Sequence, residues 1–136
     1  MVVDTSALLA VFFNEKAGPW VLDQFQANSR DLAMSTVNYA EVMILVQDRQ
    51  PTAYAQVREA IETSSIRLVP PTARHAEMAA AARLRFPLNL GDCFAYALAK
   101  EEDLPLLTLD RDFCRASRKR LQFFRRPWPV FAQQSR

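Results

Sequence analysis

Short apolar segments alternate with helix-forming segments along this chain, and this alternation restricts the folds open to it. The strand-like segments are VVD at the start, LAMS at 32–35, IRLV at 66–69 and PLLTL at 105–109. Stretches typical of helices lie between them, such as SALLAVFF and TVNYAEVMILVQD. Alternating units of this kind favour a parallel sheet, so we expect an α/β fold with helices on both faces of the sheet.

Helix-starting residues locate the helices within this pattern. We expect Thr5 or Ser6 to cap the first helix, Pro19 to lie in the first turn of the second, and a Ser or Thr to start the third. Near the end, RDFCRASRKRL predicts a short basic helix, and FFRRPWPVFA predicts an edge strand interrupted by prolines.

Length and composition exclude several classes of protein. At 136 residues and 50% hydrophobic content, the chain suits one ordered domain, residues 1–136. It lacks both a basic leader and an apolar run of about 18 residues, so we expect a cytoplasmic protein without a membrane segment. With two glycines, it has no glycine-rich phosphate loop. Cys93 and Cys114 fit a reducing compartment, although a disulfide between them is an alternative.

The charges are distributed unevenly along the chain. Residues 111–136 hold eight of the 17 Lys and Arg and one acid, Asp112, for a net charge of +7. Residues 1–110 hold nine bases and 14 acids, for a net charge of −5. The basic segment can bind a polyanion or can be a solvated terminus, and the role of its proline-containing end, 121–136, stays open.

Three acids fall where a parallel sheet builds its functional sites. Asp4 directly follows the first predicted strand, and Asp110 directly follows PLLTL. Asp92 heads an apolar helix that can bring it to the same edge. Because open parallel sheets bind ligands at the carboxyl ends of their strands, we expect these side chains to be neighbours. Helix capping is an alternative role for Asp92 and Asp110.

A fourth acid, Glu41, belongs to the third predicted helix. It lies within an apolar stripe formed by Val37, Ala40, Ile44 and Leu45, so it is expected to face inward, either toward the other acids or in an ion pair.

Carboxylates packed together repel one another unless a cation holds them, and hard oxygen ligands favour Mg²⁺ or Mn²⁺. The single histidine, His75, is interpreted as an exposed helix residue, which leaves no Ser–His–Asp or Cys–His arrangement.

Four sequence blocks carry a resemblance to a known family. VVDTSALLAVFF, STVNYAEVM, LNLGDCFAYALAK and LLTLDRDF resemble the PIN-domain ribonucleases, and in particular the VapC toxins of bacterial toxin–antitoxin pairs. The resemblance implies a three-layer α/β/α PIN-like domain with a central parallel sheet. It also implies Mg²⁺- or Mn²⁺-dependent cleavage of single-stranded regions of RNA, inhibition by a VapB-like antitoxin, and a homodimer.

The resemblance assigns catalytic and metal-binding roles to Asp4, Glu41, Asp92 and Asp110, with Asp112 as the alternative fourth acid. Three hydroxyl residues, Thr5, Ser6 and Thr108, can support these acids or a metal-bound water, or can serve as helix caps or strand ends. The basic side chains that would hold RNA are Arg111, Arg115, Arg118, Lys119 and Arg120.

Two other functions stay open at this point. One is a PIN-like module that binds RNA or protein without cutting, and the other is a metal-dependent phosphatase or DNA nuclease.

Overall fold

The structure is a computed structural model that describes residues 1–113 and the strand at 123–124. Its strands are β1 (Val2–Val3), β2 (Leu32–Ser35), β3 (Ile66–Val69), β4 (Leu106–Leu107) and β5 (Phe123–Phe124). Its helices are α1 (Thr5–Phe12), α2 (Gly18–Ala27), α3 (Thr36–Arg49), α4 (Tyr54–Glu62), α5 (Ala73–Arg85) and α6 (Leu90–Glu101), with a 3₁₀ turn at Pro51–Ala53 before α4.

The strands form one parallel sheet in the order β3-β2-β1-β4-β5. The predictions for β2 and β3 are confirmed residue for residue, whereas β4 is shorter than the predicted strand at 105–109. The chain runs from β1 outward through β2 and β3, then crosses to the other side of β1 to form β4. The carboxyl ends of β1 and β4 therefore flank the point where the strand order reverses, which is where open parallel sheets bind ligands.

The alternating side chains of the strands build a separate core on each face of the sheet. Val3, Met34 and Leu107 pack with buried residues of α1, α2, α3 and α4. Val2 and Leu106 point to the opposite face and pack with α5 and α6. Burial on both faces stabilises short, uniformly apolar strands, and it confirms the three-layer α/β/α arrangement.

Two predictions about helix starts and helix faces are wrong. Asp4 caps α1 instead of Thr5 or Ser6, because the Asp4 side chain accepts a hydrogen bond from the Ala7 amide. Ser35 is the N-cap of α3, as expected of a Ser or Thr at this point. The buried face of α3, however, is formed by Asn38, Val42, Met43 and Val46.

Of the predicted stripe on α3, Ala40 is exposed and the Ile44 side chain is 65% exposed. The buried stripe is rotated around the helix because α3 packs against both the sheet and α6.

His75 is buried, so the prediction of an exposed histidine is also wrong. It is the third residue of α5, where its Nδ1 accepts a hydrogen bond from the Thr72 amide (3.1 Å). Its own amide donates to the Thr72 hydroxyl (3.2 Å), which completes a reciprocal helix cap. The Nε2 atom of His75 contacts Glu101 on α6. The imidazole therefore caps the N-terminus of α5 and packs this helix against α6.

Other predictions have mixed outcomes. Pro19 lies in the first turn of α2, and Cys93 is a buried free thiol, as expected. Residues 123–124 add the edge strand β5, while the predicted basic helix from 114 onward lies outside the described residues. In the part of the chain that the structure describes, no helix combines the length and the apolar character that a membrane crossing requires.

Gly18 allows α1 and α2 to approach closely. A Cβ atom at this position would lie 2.7 Å from the backbone oxygen of Ala10, where neither group can rotate away. The short connection between the two helices thus depends on a residue without a side chain.

We predict that Gly18→Ala destabilises the protein by about 1–3 kcal/mol, because the added methyl group overpacks the contact between α1 and α2. Thermal melting would measure the change. Gln26→Ala, at an exposed position of the same helix, is the control and should leave the melting temperature nearly unchanged. Equal melting of the two variants would contradict the packing argument.

Candidate active site

Asp4 occupies the centre of the carboxyl edge of the sheet and is 1% exposed. Its Oδ1 accepts hydrogen bonds from the Ser6 hydroxyl (2.7 Å) and the Ala7 amide (3.1 Å). Its Oδ2 accepts one from the Thr108 hydroxyl (2.5 Å). These three donors hold the carboxylate in one orientation beside the strand-order reversal.

The same hydroxyl groups connect Asp4 to the end of β4. The Ser6 oxygen accepts a hydrogen bond from the Leu109 amide (3.0 Å), and the Thr108 oxygen accepts one from the Asp110 amide (3.0 Å). Ser6 and Thr108 therefore fix the segment that carries Asp110 relative to Asp4.

The two candidates for the fourth acid differ in their surroundings. Asp110 is half-buried, and its Oδ1 accepts a hydrogen bond from the Asp112 amide (2.8 Å). Asp112 is exposed. Because the charge of Asp110 acts on both Asp4 and Asp92, the geometry favours Asp110 as the fourth member of the cluster.

Glu41 reaches the cluster from α3 and is held on one oxygen. Its Oε1 accepts hydrogen bonds from the Thr5 hydroxyl (2.8 Å) and from Nδ2 of Asn38 (3.0 Å). Its carboxylate packs against Gly91 at the start of α6. No sequence pattern indicates a role for Asn38 or Gly91, and only the meeting of α3 with α6 reveals their position beside Glu41.

Asp92 lies in the first turn of α6 and is 8% exposed. Asn89, not Asp92, is the N-cap of this helix, and its side chain accepts a hydrogen bond from the Asp92 amide (2.8 Å). The Asp92 carboxylate accepts a long hydrogen bond from the Asn89 amide (3.4 Å), which completes a capping box. Asp92 thus contributes to the start of the helix while its charge stays close to the other acids.

Burial and mutual repulsion raise the pKa values of two of these acids. The pKa of Asp4 rises from 3.8 to about 6, mainly because burial disfavours its charged form and in part because of the charge of Asp110. The pKa of Asp92 rises to about 7, first through burial and then through the charges of Asp4, Asp110 and Glu41. The four acids therefore form one electrostatic cluster.

The donor chemistry of this cluster suits a hard divalent cation. The salt bridges between described residues involve Glu62, Glu101 and Glu102, and none of them neutralises a member of the cluster. Carboxylate oxygens are the hard ligands that Mg²⁺ and Mn²⁺ prefer, and a bound cation would offset their mutual repulsion. Within residues 1–113, however, no three such side chains lie close enough together to form a complete coordination site as they stand.

The predicted basic RNA contacts fall mostly beyond the described part of the chain. Arg111 is exposed and directly follows Asp110. The other four predicted contacts, Arg115, Arg118, Lys119 and Arg120, lie outside the described residues.

We predict that the metal-free protein loses stability as the pH rises from about 4 to about 7. Asp4 and Asp92 have higher pKa values in the folded state than when unfolded, so the folded protein holds more protons across this range. Their contribution is fully present below pH 4 and is lost as the pH passes 6 to 7. For the fully buried Asp4, this amounts to on the order of 2–3 kcal/mol.

Melting in EDTA at several pH values would measure this trend. Asp4→Asn and Asp92→Asn should each flatten the curve, because the amide does not titrate. A variant with the same pH dependence as the unsubstituted protein would contradict the assignment for that residue.

Comparison with known proteins agrees with this architecture. A family model described as the PIN domain matches residues 1–119. Ribonuclease VapC28 of Mycobacterium tuberculosis is 34% identical over 122 residues, which cover 83% of this chain and 91% of the relative.

Two solved structures share the fold. That of VapC20 from M. tuberculosis, described as a sarcin-ricin loop cleaving toxin, has a TM-score of 0.75 at 17% identity and covers 89% of this chain and 98% of its own. A toxin–antitoxin complex from Klebsiella pneumoniae contains a chain with a TM-score of 0.68 at 23% identity, covering 82% of this chain and 88% of that one. The resemblance indicated by the four sequence blocks is confirmed, and this chain belongs to the PIN-domain family, among its VapC ribonucleases.

Proposed function

We propose that this protein is a metal-dependent endoribonuclease that cleaves single-stranded regions of RNA and acts as the toxin of a toxin–antitoxin pair. The observation that carries the proposal is the cluster of Asp4, Glu41, Asp92 and Asp110 at the strand-order reversal, where burial and the charges of neighbouring acids raise the pKa values of Asp4 and Asp92. The VapC ribonuclease with 34% identity supports RNA as the substrate class.

A divalent cation held by these carboxylates would activate a water molecule and stabilise the charge that develops on a phosphodiester. The residues of the chain orient the ligands for that task. Ser6 and Thr108 fix Asp4, while Thr5 fixes Glu41. Without a cation, Asp4 holds a proton below about pH 6 and Asp92 below about pH 7, so cation binding at those pH values releases protons.

The partner proteins are also part of the proposal. The K. pneumoniae structure is a toxin–antitoxin complex, which supports a small VapB-like antitoxin as the inhibitor of this chain. A homodimer is expected from the family resemblance.

A non-catalytic PIN-like module that binds RNA or protein is the second candidate. It is favoured by the finding that no three acids among the described residues form a complete metal site as they stand. A titration with a divalent cation, followed by a cleavage assay, separates the two functions.

We predict that millimolar Mn²⁺ raises the melting temperature, and raises it more at pH 8 than at pH 6. A cation that binds only the folded state stabilises it by about 2.7 kcal/mol at 100 times its dissociation constant. The pH dependence follows because the protons on Asp4 and Asp92 compete with the cation below pH 6 to 7. The absence of any Mn²⁺-dependent shift at pH 8 would favour the non-catalytic module.

We predict that Asp92→Asn abolishes metal-dependent cleavage of a mixed RNA pool, because the amide removes a negative ligand while preserving the size of the side chain. Asp110→Asn should have the same effect, whereas the exposed Asp112→Asn should retain most of the activity. The assay compares Mg²⁺, Mn²⁺ and EDTA, with cut ends mapped by sequencing.

Asp103→Asn is the matched control for this series. Asp103 is exposed, lies just beyond α6 and has a left-handed backbone (φ 52°), which asparagine accepts readily. This control should cleave like the unsubstituted protein and should arrest growth on expression in bacteria, while Asp92→Asn should do neither. Full activity of Asp92→Asn would contradict the proposed mechanism.

A further inference from the structure

Gly91 provides space for the Glu41 carboxylate. A Cβ atom at Gly91 would lie 2.2 Å from Oε1 of Glu41 and 2.4 Å from both Cδ and Oε2. No heavy atom can be placed that close without displacing the carboxylate. The absence of a side chain at position 91 therefore determines where the carboxylate of Glu41 can lie.

Asn38 joins the two sides of this contact. It is fully buried one helical turn before Glu41, and its Nδ2 donates hydrogen bonds to Glu41 Oε1 (3.0 Å) and to the Gly91 carbonyl oxygen (3.0 Å). Glu41 belongs to α3 and Gly91 to α6, so one amide group connects the helix that carries the carboxylate to the helix against which it packs.

The hydrogen bonds fall on one side of the carboxylate. Thr5 and Asn38 both donate to Oε1 of Glu41. Oε2 accepts no hydrogen bond from the residues that the structure describes. One oxygen is thus anchored, and the other keeps its lone pairs for a ligand.

One polar atom of the Asn38 side chain has no hydrogen-bond partner among the described residues. Its Oδ1 is buried and has no hydrogen-bond donor among the described residues. An unsatisfied buried acceptor destabilises a fold. The favourable contribution of Asn38 therefore comes from the hydrogen bonds that its Nδ2 group donates.

We propose that Asn38 and Gly91 are positioning residues that set the orientation of the Glu41 carboxylate toward the metal ion. This inference rests on the proposed metal-dependent function. Asn38 and Gly91 act through Glu41, as residues behind metal ligands commonly do.

The test measures Mn²⁺ affinity without RNA, by calorimetry at pH 8. Asn38→Ala removes the donor, and Gly91→Ala displaces the carboxylate. Each is expected to weaken Mn²⁺ binding by about 10- to 100-fold, the usual effect of losing a group that orients a metal ligand. In cleavage assays, kcat should fall while KM for RNA changes little.

Gly18→Ala is the matched control, because it adds the same methyl group at the other glycine of the chain, in the contact between α1 and α2. It should lower the melting temperature of the metal-free protein and leave the Mn²⁺ affinity unchanged. Gly91→Ala should show the reverse pattern, since its methyl group meets the end of a flexible side chain.

A double variant tests the geometry directly. Glu41→Asp shortens the side chain by one methylene group and withdraws the carboxylate from position 91. In the Gly91→Ala background, Glu41→Asp should therefore weaken Mn²⁺ binding much less than it does alone.

Two results would overturn the inference, and they are distinguishable. If the unsubstituted protein binds Mn²⁺ and the Asn38 and Gly91 variants bind it equally well, the two residues serve only the fold. If the unsubstituted protein itself does not bind Mn²⁺, the metal-dependent function fails, and the positioning role fails with it.

Discussion

The burial of the Asp4 carboxylate at the end of the central strand is the constraint on which the rest of the site depends. A buried charge destabilises the fold unless hydrogen-bond donors surround it. Here the Ala7 amide and the hydroxyls of Ser6 and Thr108 supply those donors. The same contacts begin α1 and connect β1 to the end of β4, so the carboxylate organises the edge at which the other acids meet.

The two helical layers of the domain meet beyond that edge. Helix α3 packs with the core on one face of the sheet, and α6 packs with the core on the other. The hydrogen bond from Asn38 to the Gly91 carbonyl crosses from one layer to the other where the sheet ends. Glu41 and Asp92 are supplied by these two layers. Their separation is therefore set by the packing of α3 on α6 and does not follow from either helix alone.

The difference between local sequence patterns and contacts between the two layers explains which features the sequence could predict. Buried parallel strands appear as apolar runs, so LAMS and IRLV identify β2 and β3 directly. Acids that follow strands identify the edge, and Asp4 and Asp110 are such acids.

Features that depend on tertiary contacts were missed. A polar residue on a helix is usually exposed, so the sequence does not indicate that Asn38 is buried. The role of Gly91 follows only from the Glu41 carboxylate beside it. The buried face of α3 differs from the predicted stripe because the helix has two packing partners. His75 is buried because its side chain caps its own helix.

The distribution of charge adds a further link between cation and substrate. Residues 1–110 carry a net charge of −5, and residues 111–136 carry +7. A polyanion attracted by the basic segment must still approach the acids that include Asp4 and Asp92, and charges within about 8 Å are only partly screened at physiological salt. A divalent cation in the cluster would weaken that repulsion beside the carboxylates. Cation binding and productive RNA binding are therefore expected to reinforce each other, because the cation reduces the negative potential of the cluster.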